Sequence, residues 1–299
     1  MTMRTVWLDG KLVDSDDATV SVGSHGLHYG LGFFEGIRCH GTPAGPAIFR
    51  LSDHLRRLTR SAGAYLVPLP YPVAELADAC RAVVTENDVQ DCYLRPIVFL
   101  GDGPLIGAPW RAAVLASENG PMVGGPKPGG VSAKIVSFNR MSSTTVPPAV
   151  KATGQYLNSY LAQTEAMLCG FDEAILLNTD GEVTDGWAHN LFVVRDGTLV
   201  TPPLSAGALG GITRATLLTL AGELGIPTSE ETLVRTDLYG ADECFLSGTS
   251  AGVVPVASVD RRPVTDGSPG PVTARLAGAL ADVQTGRTGA HPEWREAVR

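Results

Sequence analysis

The sequence predicts a two-domain α/β protein of the α+β type, and three observations support this. A chain of 299 residues with 44% hydrophobic residues can bury a large core and is long enough for two domains. Strand and helix patterns occur in both halves of the chain. Residues 118–130 are too rich in glycine and proline to form either a strand or a helix. We therefore predict an N-terminal domain (1–117), a linker (118–130) and a C-terminal domain (131–299).

Composition and charge disfavour several classes of partner. The net charge is −8 and there is no run of lysine or arginine, which argues against nucleic acid and anionic membranes. The N-terminus lacks the apolar segment of a signal peptide, and no stretch is long and apolar enough to cross a bilayer. The five cysteines lack paired or metal-like spacing and indicate reduced thiols. We expect a cytoplasmic protein that binds small molecules.

The N-terminal domain is predicted to begin as sheet. Asp9-Gly10 is a two-residue hairpin signal within Val6–Val13. Ser52 is a candidate N-cap for a helix with one apolar face. That face comprises Leu55, Leu58, Ala62 and Tyr65. A helix at Val73–Thr85 and a strand at Cys92–Leu100 follow.

The C-terminal domain is predicted to open with a strand at Val131–Phe138. A helix at Tyr156–Cys169 follows, with Gly170 as its C′ residue. Its expected buried residues are Leu157, Tyr160, Leu161 and Leu168. Two hairpins turn at Asp180-Gly181 and Asp196-Gly197, and helices are expected after Leu209-Gly210-Gly211 and at Gly270–Arg287. We expect the last dozen residues to be frayed.

Lys151 is the most informative single residue. Only four lysines are present, and Lys151 alone stands in an apolar, proline-stiffened segment just before a helix. A desolvated lysine loses proton affinity and becomes an amine nucleophile suited to Schiff-base chemistry. The alternative is a lysine whose stem lies on apolar surface while its amine reaches solvent.

Two further sites have open interpretations from the residues alone. Arg95 lies in a strand with two apolar faces, so it must meet either an internal counter-charge or a ligand. His25 and His28 lack a carboxylate or cysteine at ligand spacing, which disfavours a metal site.

The spacing Lys-x-x-Gly-x-Tyr-x-Asn, from Lys151 to Asn158, resembles the active-site segment of class IV (fold type IV) pyridoxal phosphate enzymes. The closest resemblance is to the branched-chain aminotransferases. It recurs in the family's order over nearly the whole chain, at Val20–Arg38, Phe49–Ala62, Tyr93–Gly101, Glu182–Phe192, Leu209–Arg214 and Leu246–Val256. The resemblance implies a two-domain fold like that of D-amino acid aminotransferase, with pyridoxal 5′-phosphate as cofactor.

The resemblance also implies the residues of the site. Lys151 would form the internal aldimine and act as the catalytic residue. The other cofactor-binding residues would be Arg57, Tyr156, Asp185, Leu209, Ile212, Thr213 and Thr249. The substrate-binding residues would be Tyr29, Phe34, Tyr93, Arg95, Thr249 and Ser250. Family members complete each pocket from a second subunit, so a homodimer or larger homo-oligomer is expected.

Several positions depart from the branched-chain pattern. Asp185 replaces a glutamate and is shorter by one methylene, and Trp187, Ala188 and His189 replace small or acidic residues. Gly210 replaces a proline, the loop 101–109 is shorter, and Asn119 and Met122 stand where close relatives have aromatic residues. These changes indicate a reshaped pocket, and they leave a more polar or larger substrate open as an alternative to valine, leucine and isoleucine.

The leading hypothesis is an aminotransferase that moves an amino group between an L-amino acid, branched-chain or related, and a 2-oxo acid such as 2-oxoglutarate. A second hypothesis keeps the cofactor but changes the reaction, as in a D-amino acid aminotransferase or an aminodeoxychorismate lyase. A third is a catalytically degenerate homologue, motivated by Asp185 and Trp187.

Overall fold

The computed structural model describes residues 3–118, 127, 129–266 and 268–298. Two compact units divide the chain. The first comprises Met1–Pro121, Val150–Gly154 and Asp282–Arg299, and the second comprises Met122–Ala149 and Gln155–Ala281. Helices and strands occur in both, which confirms the predicted mixed α/β architecture. The domain boundaries at 117 and 131 stay a prediction, and Asn119 and Met122 lie outside the described residues.

The described elements are numbered in chain order. The strands are β1 (Thr5–Leu8), β2 (Lys11–Asp14), β3 (Gly32–Phe34), β4 (Ile37–Thr42), β5 (Gly45–Phe49), β6 (Cys92–Leu100), β7 (Trp110–Ser117), β8 (Val131–Ile135), β9 (Glu173–Leu177), β10 (Val183–Gly186), β11 (Asn190–Arg195), β12 (Thr198–Thr201), β13 (Thr228–Glu230), β14 (Glu243–Gly248), β15 (Gly252–Val259), β16 (Arg262–Pro263) and β17 (Arg295–Ala297). The helices are α1 (His25–Tyr29), α2 (Leu51–Gly63), α3 (Val73–Glu86), α4 (Tyr156–Leu168), α5 (Ile212–Glu223), α6 (Arg235–Tyr239) and α7 (Pro271–Thr285).

The first unit is built on an antiparallel sheet of eight described strands. Its order is β17-β5-β4-β6-β7-β1-β2, and β3 pairs with β6 beside that path. Helices α2 and α3 share one apolar core with the sheet. The side chains that α3 buries include those predicted from the sequence: Leu76, Ala79, Cys80 and Val83.

The second unit holds a sheet of nine described strands in the order β10-β9-β8-β15-β14-β11-β12-β13, with β16 on β15. Asp185 of β10 also pairs with Asn190 of β11, which closes the strands from β10 round to β11 into a ring. One apolar cluster draws members from these strands, including Ala133, Ile175, Leu191, Leu246 and Val256. Strand β8 ends at Ile135, three residues before the predicted end at Phe138.

The predicted hairpin turns are confirmed. Asp9 (φ 45°) and Gly10 (φ 88°) join β1 to β2, and Asp196 (φ 50°) and Gly197 (φ 74°) join β11 to β12. Positive φ at both central positions is the type I′ geometry, which matches the twist of the paired strands. Strands β9 and β10 form the third predicted hairpin, with Gly181 at φ 83°.

The predicted N-cap of α2 is wrong. The N-cap is Arg50, two residues earlier, in the left-handed region (φ 56°), and the helix begins at Leu51. Ser52 lies inside the first turn, where its backbone N–H donates to Glu296 Oε1 at 2.7 Å. The predicted buried residues Leu55, Leu58 and Ala62 are confirmed, whereas Tyr65 follows the helix and is 38% exposed.

The predicted buried face of α4 is also wrong. Its leucines and Tyr160 are exposed, and the helix buries small and polar residues instead: Ser159, Ala162, Gln163 and Ala166. Gln163 donates to Asp172 O at 2.7 Å and accepts from Ala174 N at 3.0 Å, so it fastens the helix to β9. Alanines permit this close packing. The predicted Gly170 cap is confirmed by its φ of 81° and by the bond from Phe171 N to Ala166 O at 2.9 Å.

The C-terminal residues are ordered, which overturns the predicted fraying. Strand β17 pairs antiparallel with β5. The Trp294 ring stacks on His291 at 3.6 Å and meets the edge of Phe49 at 6.1 Å, and Arg50 N donates to Trp294 O at 2.7 Å. These contacts place the segment within the first unit. Among the described residues, no helix combines the length and hydrophobicity that a bilayer crossing needs.

Candidate active site

Lys151 lies in the first unit, and its backbone N–H and C=O are both hydrogen-bonded. Its N–H donates to Ser61 Oγ on α2 at 3.1 Å, and its C=O accepts from the N–H of Phe34 on β3 at 3.1 Å. Ala152 then forms a β-bridge with Phe33. Lys151 Nζ lies 5.0 Å from the centre of the Phe34 ring, within the range of a cation–π contact. The amine of a half-buried lysine is thus held beside an aromatic face.

Arg57 forms a bidentate ion pair with the buried carboxylate of Glu35, a residue that was not predicted from the sequence. Arg57 Nε donates to Glu35 Oε1 and Nη2 donates to Glu35 Oε2, both at 2.7 Å. His54 Nδ1 lies 2.7 Å from the same Oε2. The side chains of Glu35 and His54 are 0% and 1% exposed, while that of Arg57 is 14% exposed. A carboxylate only accepts hydrogen bonds, so Nδ1 of His54 carries the proton.

The charge states of this cluster follow from its surroundings. Burial by itself raises the pKa of the Glu35 carboxyl, but the charge and hydrogen bonds of Arg57, helped by His54, hold that pKa well below its ordinary value. Burial lowers the pKa of the His54 imidazole despite the opposing bond to Glu35. At neutral pH the cluster is a carboxylate–guanidinium pair with a neutral imidazole.

Arg95 has no carboxylate partner within the described part of the chain. Its Nη2 donates to Tyr93 Oη at 2.8 Å, and its guanidinium carbon lies 4.5 Å from the Phe34 ring centre and 5.3 Å from that of Tyr93. Its Nε is buried without a hydrogen-bond partner. Of the two predicted alternatives, the internal salt bridge is absent among the described residues. An unmet guanidinium donor is suited to an anionic ligand.

Gly36 is required for this arrangement. A Cβ at Gly36 would overlap the Tyr93 hydroxyl, because β4 and β6 pair next to it and Tyr93 turns back over the glycine. Any larger residue would displace the hydroxyl that accepts from Arg95.

Asp185, in the second unit, has a buried carboxylate whose charge is only weakly offset by its neighbours. Its Oδ1 accepts from Thr184 Oγ1 at 3.1 Å, and its Oδ2 lies 3.5 Å from both Leu209 N and Arg140 Nη2. Burial raises the pKa of the Asp185 carboxyl, and the Arg140 charge and the Thr184 bond offset this only in part. A protonated nitrogen close to Asp185 would favour the ionised carboxylate. A protonated pyridine ring would fit that requirement.

The N-terminus of α5 has no side-chain cap. Its N-cap is Gly211 in extended conformation, so no N-cap side chain occupies the first N–H groups of the twelve-residue helix. A Cβ at Gly211 would overlap Asn190 Oδ1, and Asn190 Nδ2 donates to Leu209 O at 2.8 Å. Asn190 therefore fixes the turn that presents Ile212 and Thr213, which are 9% and 6% exposed.

The turn between β14 and β15 carries Thr249 and Ser250, both half-buried. His189 packs against it, since its Cδ2 would lie 2.8 Å from a Cβ added at Gly248. His189 Nδ1 lies 3.6 Å from Glu173 Oε2, and neither atom has a hydrogen-bond partner in the described residues. One departure from the branched-chain pattern, His189, thus borders this turn.

Two other predicted residues are tyrosines at helix ends. Tyr29 ends the short helix α1 and is 63% exposed, and Tyr156 is the half-buried first residue of α4. His25 Nε2 contacts Gly103 O at 2.7 Å and His28 Nε2 contacts Val22 O at 2.6 Å. Both histidines therefore have carbonyl partners.

Sequence reasoning missed four residues that support the site: Glu35, His54, Ser61 and Arg140. One signal was available, because His54, Arg57 and Ser61 are spaced for one face of α2. The partner of this face is Glu35, a buried glutamate between β3 and β4.

The buried pair of Arg57 and Glu35 lies near the amine of Lys151, which fits the class of enzyme that the sequence resembles, one that uses a phosphorylated, carbonyl-bearing cofactor. Comparison with known proteins agrees. The model of the amino-transferase class IV family matches residues 32–259. The branched-chain-amino-acid aminotransferase of Escherichia coli (strain K12) is 42% identical over 299 residues, covering 98% of this chain and 97% of that protein.

Solved structures extend the match. The E. coli branched-chain amino acid aminotransferase has a TM-score of 0.95 at 40% identity and covers 99% of this chain and 100% of its own. The T.th. branched-chain amino acid aminotransferase complexed with N-(5′-phosphopyridoxyl)-L-glutamate has a TM-score of 0.93 at 37% identity, covering 99% of both chains. The chain belongs to the class IV aminotransferase family and has fold type IV. It is a transaminase that depends on pyridoxal 5′-phosphate.

Proposed function

We propose that this transaminase exchanges an amino group between an L-amino acid, branched-chain or related, and a 2-oxo acid such as 2-oxoglutarate. Relatives of matching length named as branched-chain-amino-acid aminotransferases support the donor class. The phosphopyridoxyl-glutamate complex of the T.th. enzyme supports glutamate as the second amino acid. The observation in this chain that carries the proposal is Arg95, whose guanidinium faces two aromatic rings without a carboxylate among the described residues.

Arg95 and its aromatic neighbours suit both substrates. 2-Oxoglutarate carries a distal carboxylate, which would satisfy the buried Nε and the charge of Arg95. An aliphatic side chain would instead lie on the rings of Phe34 and Tyr93, which are 6% and 7% exposed. The turn with Thr249 and Ser250 would bind the α-carboxylate that all these substrates share.

Lys151 and Arg57 are the residues that would hold the aldehyde and the phosphate of the cofactor. Pyridoxal 5′-phosphate supplies an aldehyde and an electron sink when it is bound. Lys151 Nζ is the amine that would bind the aldehyde carbon, and Arg57 would hold the phosphate. Because the Lys151 backbone is fixed by Ser61 and Phe34, only its side chain needs to move when a donor displaces it. The released Nζ would then carry the proton between the substrate Cα and the cofactor C4′.

Further residues would contact the ring and the phosphate of the cofactor. Asp185 would pair with the pyridine nitrogen, and Leu209 would pack on the ring. The backbone N–H groups of Ile212 and Thr213, at the positive end of α5, would bind the phosphate together with Thr249. Tyr156 would donate to the ring oxygen.

A donor panel tests the proposed reaction. L-Leucine, L-valine and L-isoleucine are assayed with 2-oxoglutarate and then with pyruvate, and D-alanine is the stereochemical control. We expect turnover of at least one L-donor with 2-oxoglutarate, and conversion of bound cofactor to its pyridoxamine form by that donor alone. Turnover confined to D-alanine would contradict the proposal.

Borohydride reduction tests the attachment point. We expect mass spectrometry of the reduced holoenzyme to locate the pyridoxyl group on Lys151. The matched control is Lys134→Ala, since Lys134 is a half-buried lysine that pairs with Glu165 at 3.7 Å. That variant should label normally, and a label on any lysine other than Lys151 would overturn the assignment.

We also propose that the enzyme acts in the cytoplasm as a homodimer or larger homo-oligomer. The exposed Tyr29 supports assembly, because the family places this aromatic residue in a substrate pocket and it is 63% exposed in the single chain. Sedimentation equilibrium of the holoenzyme measures the state, and a monomer with full activity would contradict the proposal.

A further inference from the structure

We propose that Glu35 and His54 are positioning residues that hold the Arg57 guanidinium in the orientation required to bind the phosphate of the cofactor. This inference rests on the proposed role of Arg57 and extends it to two residues that touch neither substrate nor cofactor.

The contacts of Glu35 fix the plane of the guanidinium. Both carboxylate oxygens accept from the Nε–Nη2 edge of Arg57 at 2.7 Å, which is the bidentate geometry that constrains orientation as well as distance. His54 donates from Nδ1 to Oε2 at 2.7 Å and so prevents the carboxylate from rotating away. The side chains of Glu35 and His54 are buried, whereas part of the Arg57 side chain is exposed.

The backbone connects the same cluster to Lys151. Glu35 directly follows Phe34, whose N–H bonds to Lys151 O, and Glu35 N donates to Pro96 O on β6 at 2.8 Å. On α2, Ser61 lies one turn after Arg57 and accepts from Lys151 N. Two short connections therefore join Lys151 to Arg57. One runs through Phe34 and Glu35, and the other runs through Ser61. One small cofactor would carry both the aldehyde and the phosphate, so these connections would keep the Lys151 amine and the Arg57 guanidinium within reach of the same molecule.

The alternative is that Glu35 and Arg57 form an ion pair that serves folding alone. A purely structural pair would affect binding of any cofactor analogue equally when it is weakened. A pair that orients Arg57 for a phosphate would affect only ligands that carry the phosphate. Pyridoxal, which lacks the phosphate, separates the two cases.

The experiment measures the dissociation constants of pyridoxal 5′-phosphate and of pyridoxal for the apoenzyme, by absorbance titration. The variants are Arg57→Gln, Glu35→Gln, His54→Leu and His54→Asn, whose amide retains a donor near the Nδ1 position. The matched control is Asp9→Asn, which weakens another part-buried arginine pair of the first unit, Arg111 to Asp9 at 2.6 Å. Melting curves accompany each titration.

We expect Arg57→Gln and Glu35→Gln each to weaken binding of pyridoxal 5′-phosphate by about tenfold or more, the effect of one charge-assisted hydrogen bond, with pyridoxal changed by less than about twofold. His54→Leu should follow the same pattern with a smaller change, and His54→Asn should restore most of the affinity. Asp9→Asn should leave both constants unchanged.

Two outcomes separate this inference from the proposed function. If Arg57→Gln is selective for the phosphate while Glu35→Gln and His54→Leu weaken both ligands equally or neither, the positioning role is overturned and the role of Arg57 stands. If Arg57→Gln itself does not distinguish the two ligands, the assignment of Arg57 fails. Should Glu35→Gln not fold, Glu35→Asp and His54→Leu decide the question by the same comparison.

Discussion

The carboxylate of Asp185 lies 3.5 Å from the guanidinium of Arg140, Oδ2 to Nη2, which is longer than a direct charge-assisted hydrogen bond. Without cofactor this buried carboxylate is therefore compensated poorly, and the protein carries a stability cost at the position where charge is needed.

Asp185→Asn should stabilise the apoenzyme at neutral pH. The pKa of Asp185 is raised in the folded state, so the ionised form costs stability as pH rises above the unfolded value of about 3.9. We expect a higher melting temperature for the variant at neutral pH and no difference at a pH well below that unfolded value. In the holoenzyme the same variant should lower kcat by about a hundredfold or more. Destabilisation of the apoenzyme at neutral pH would contradict this account.

Arg95→Met should separate the two substrate classes. Its Nε has no hydrogen-bond partner among the described residues, so replacement by an apolar side chain should change the free energy of unfolding by less than about 1 kcal/mol. We expect kcat/KM for 2-oxoglutarate to fall by about 10² or more, and that for L-leucine by less than about tenfold. Equal losses for both substrates would assign Arg95 another role.

Gly36→Ala should destabilise the first unit by about 1–3 kcal/mol, because the new methyl group meets the Tyr93 hydroxyl. Tyr93→Phe in the same chain removes that hydroxyl and should recover part of the loss. A double-mutant cycle on urea unfolding measures the coupling. Additive effects would show that the methyl group is accommodated elsewhere.

Trp294→Ala should lower the free energy of unfolding by about 1–3 kcal/mol, since it removes the stack on His291 and the edge contact with Phe49. The control is Leu168→Gln on α4, where the side chain is 84% exposed and a change within about 0.5 kcal/mol is expected. Protease digestion should also release the C-terminal segment faster in the tryptophan variant.

Local chemistry explains what the sequence predicted well. Asp-Gly pairs adopt the two positive φ angles of their turns without help from distant residues, so both two-residue hairpins could be located. Lys151 could be selected from its apolar, proline-stiffened segment and from the resemblance, whereas the hydrogen bonds that fix its backbone come from Ser61 and Phe34, which are distant in sequence.

Long-range packing explains what was missed. The apolar residues of α4 have helical spacing, and that pattern normally marks a buried face. Here the close approach of Ala162 and Ala166 to the strands, with Gln163 bonded to Asp172 and Ala174, determines which face is buried. Glu35 could not be assigned to Arg57 from the sequence, because their pairing depends on how α2 crosses the strands.

The pairing of Asp185 with Asn190 has a consequence for divergence within the family. These two residues bracket the loop of Trp187, Ala188 and His189, and Gly186 N bonds to His189 O at 2.7 Å to close it. Asn190 also holds the carbonyl of Leu209. The loop can therefore exchange its side chains while the carboxylate before it and the helix N-terminus beyond it keep their register, so it can diverge in sequence without moving Asp185 or the start of α5.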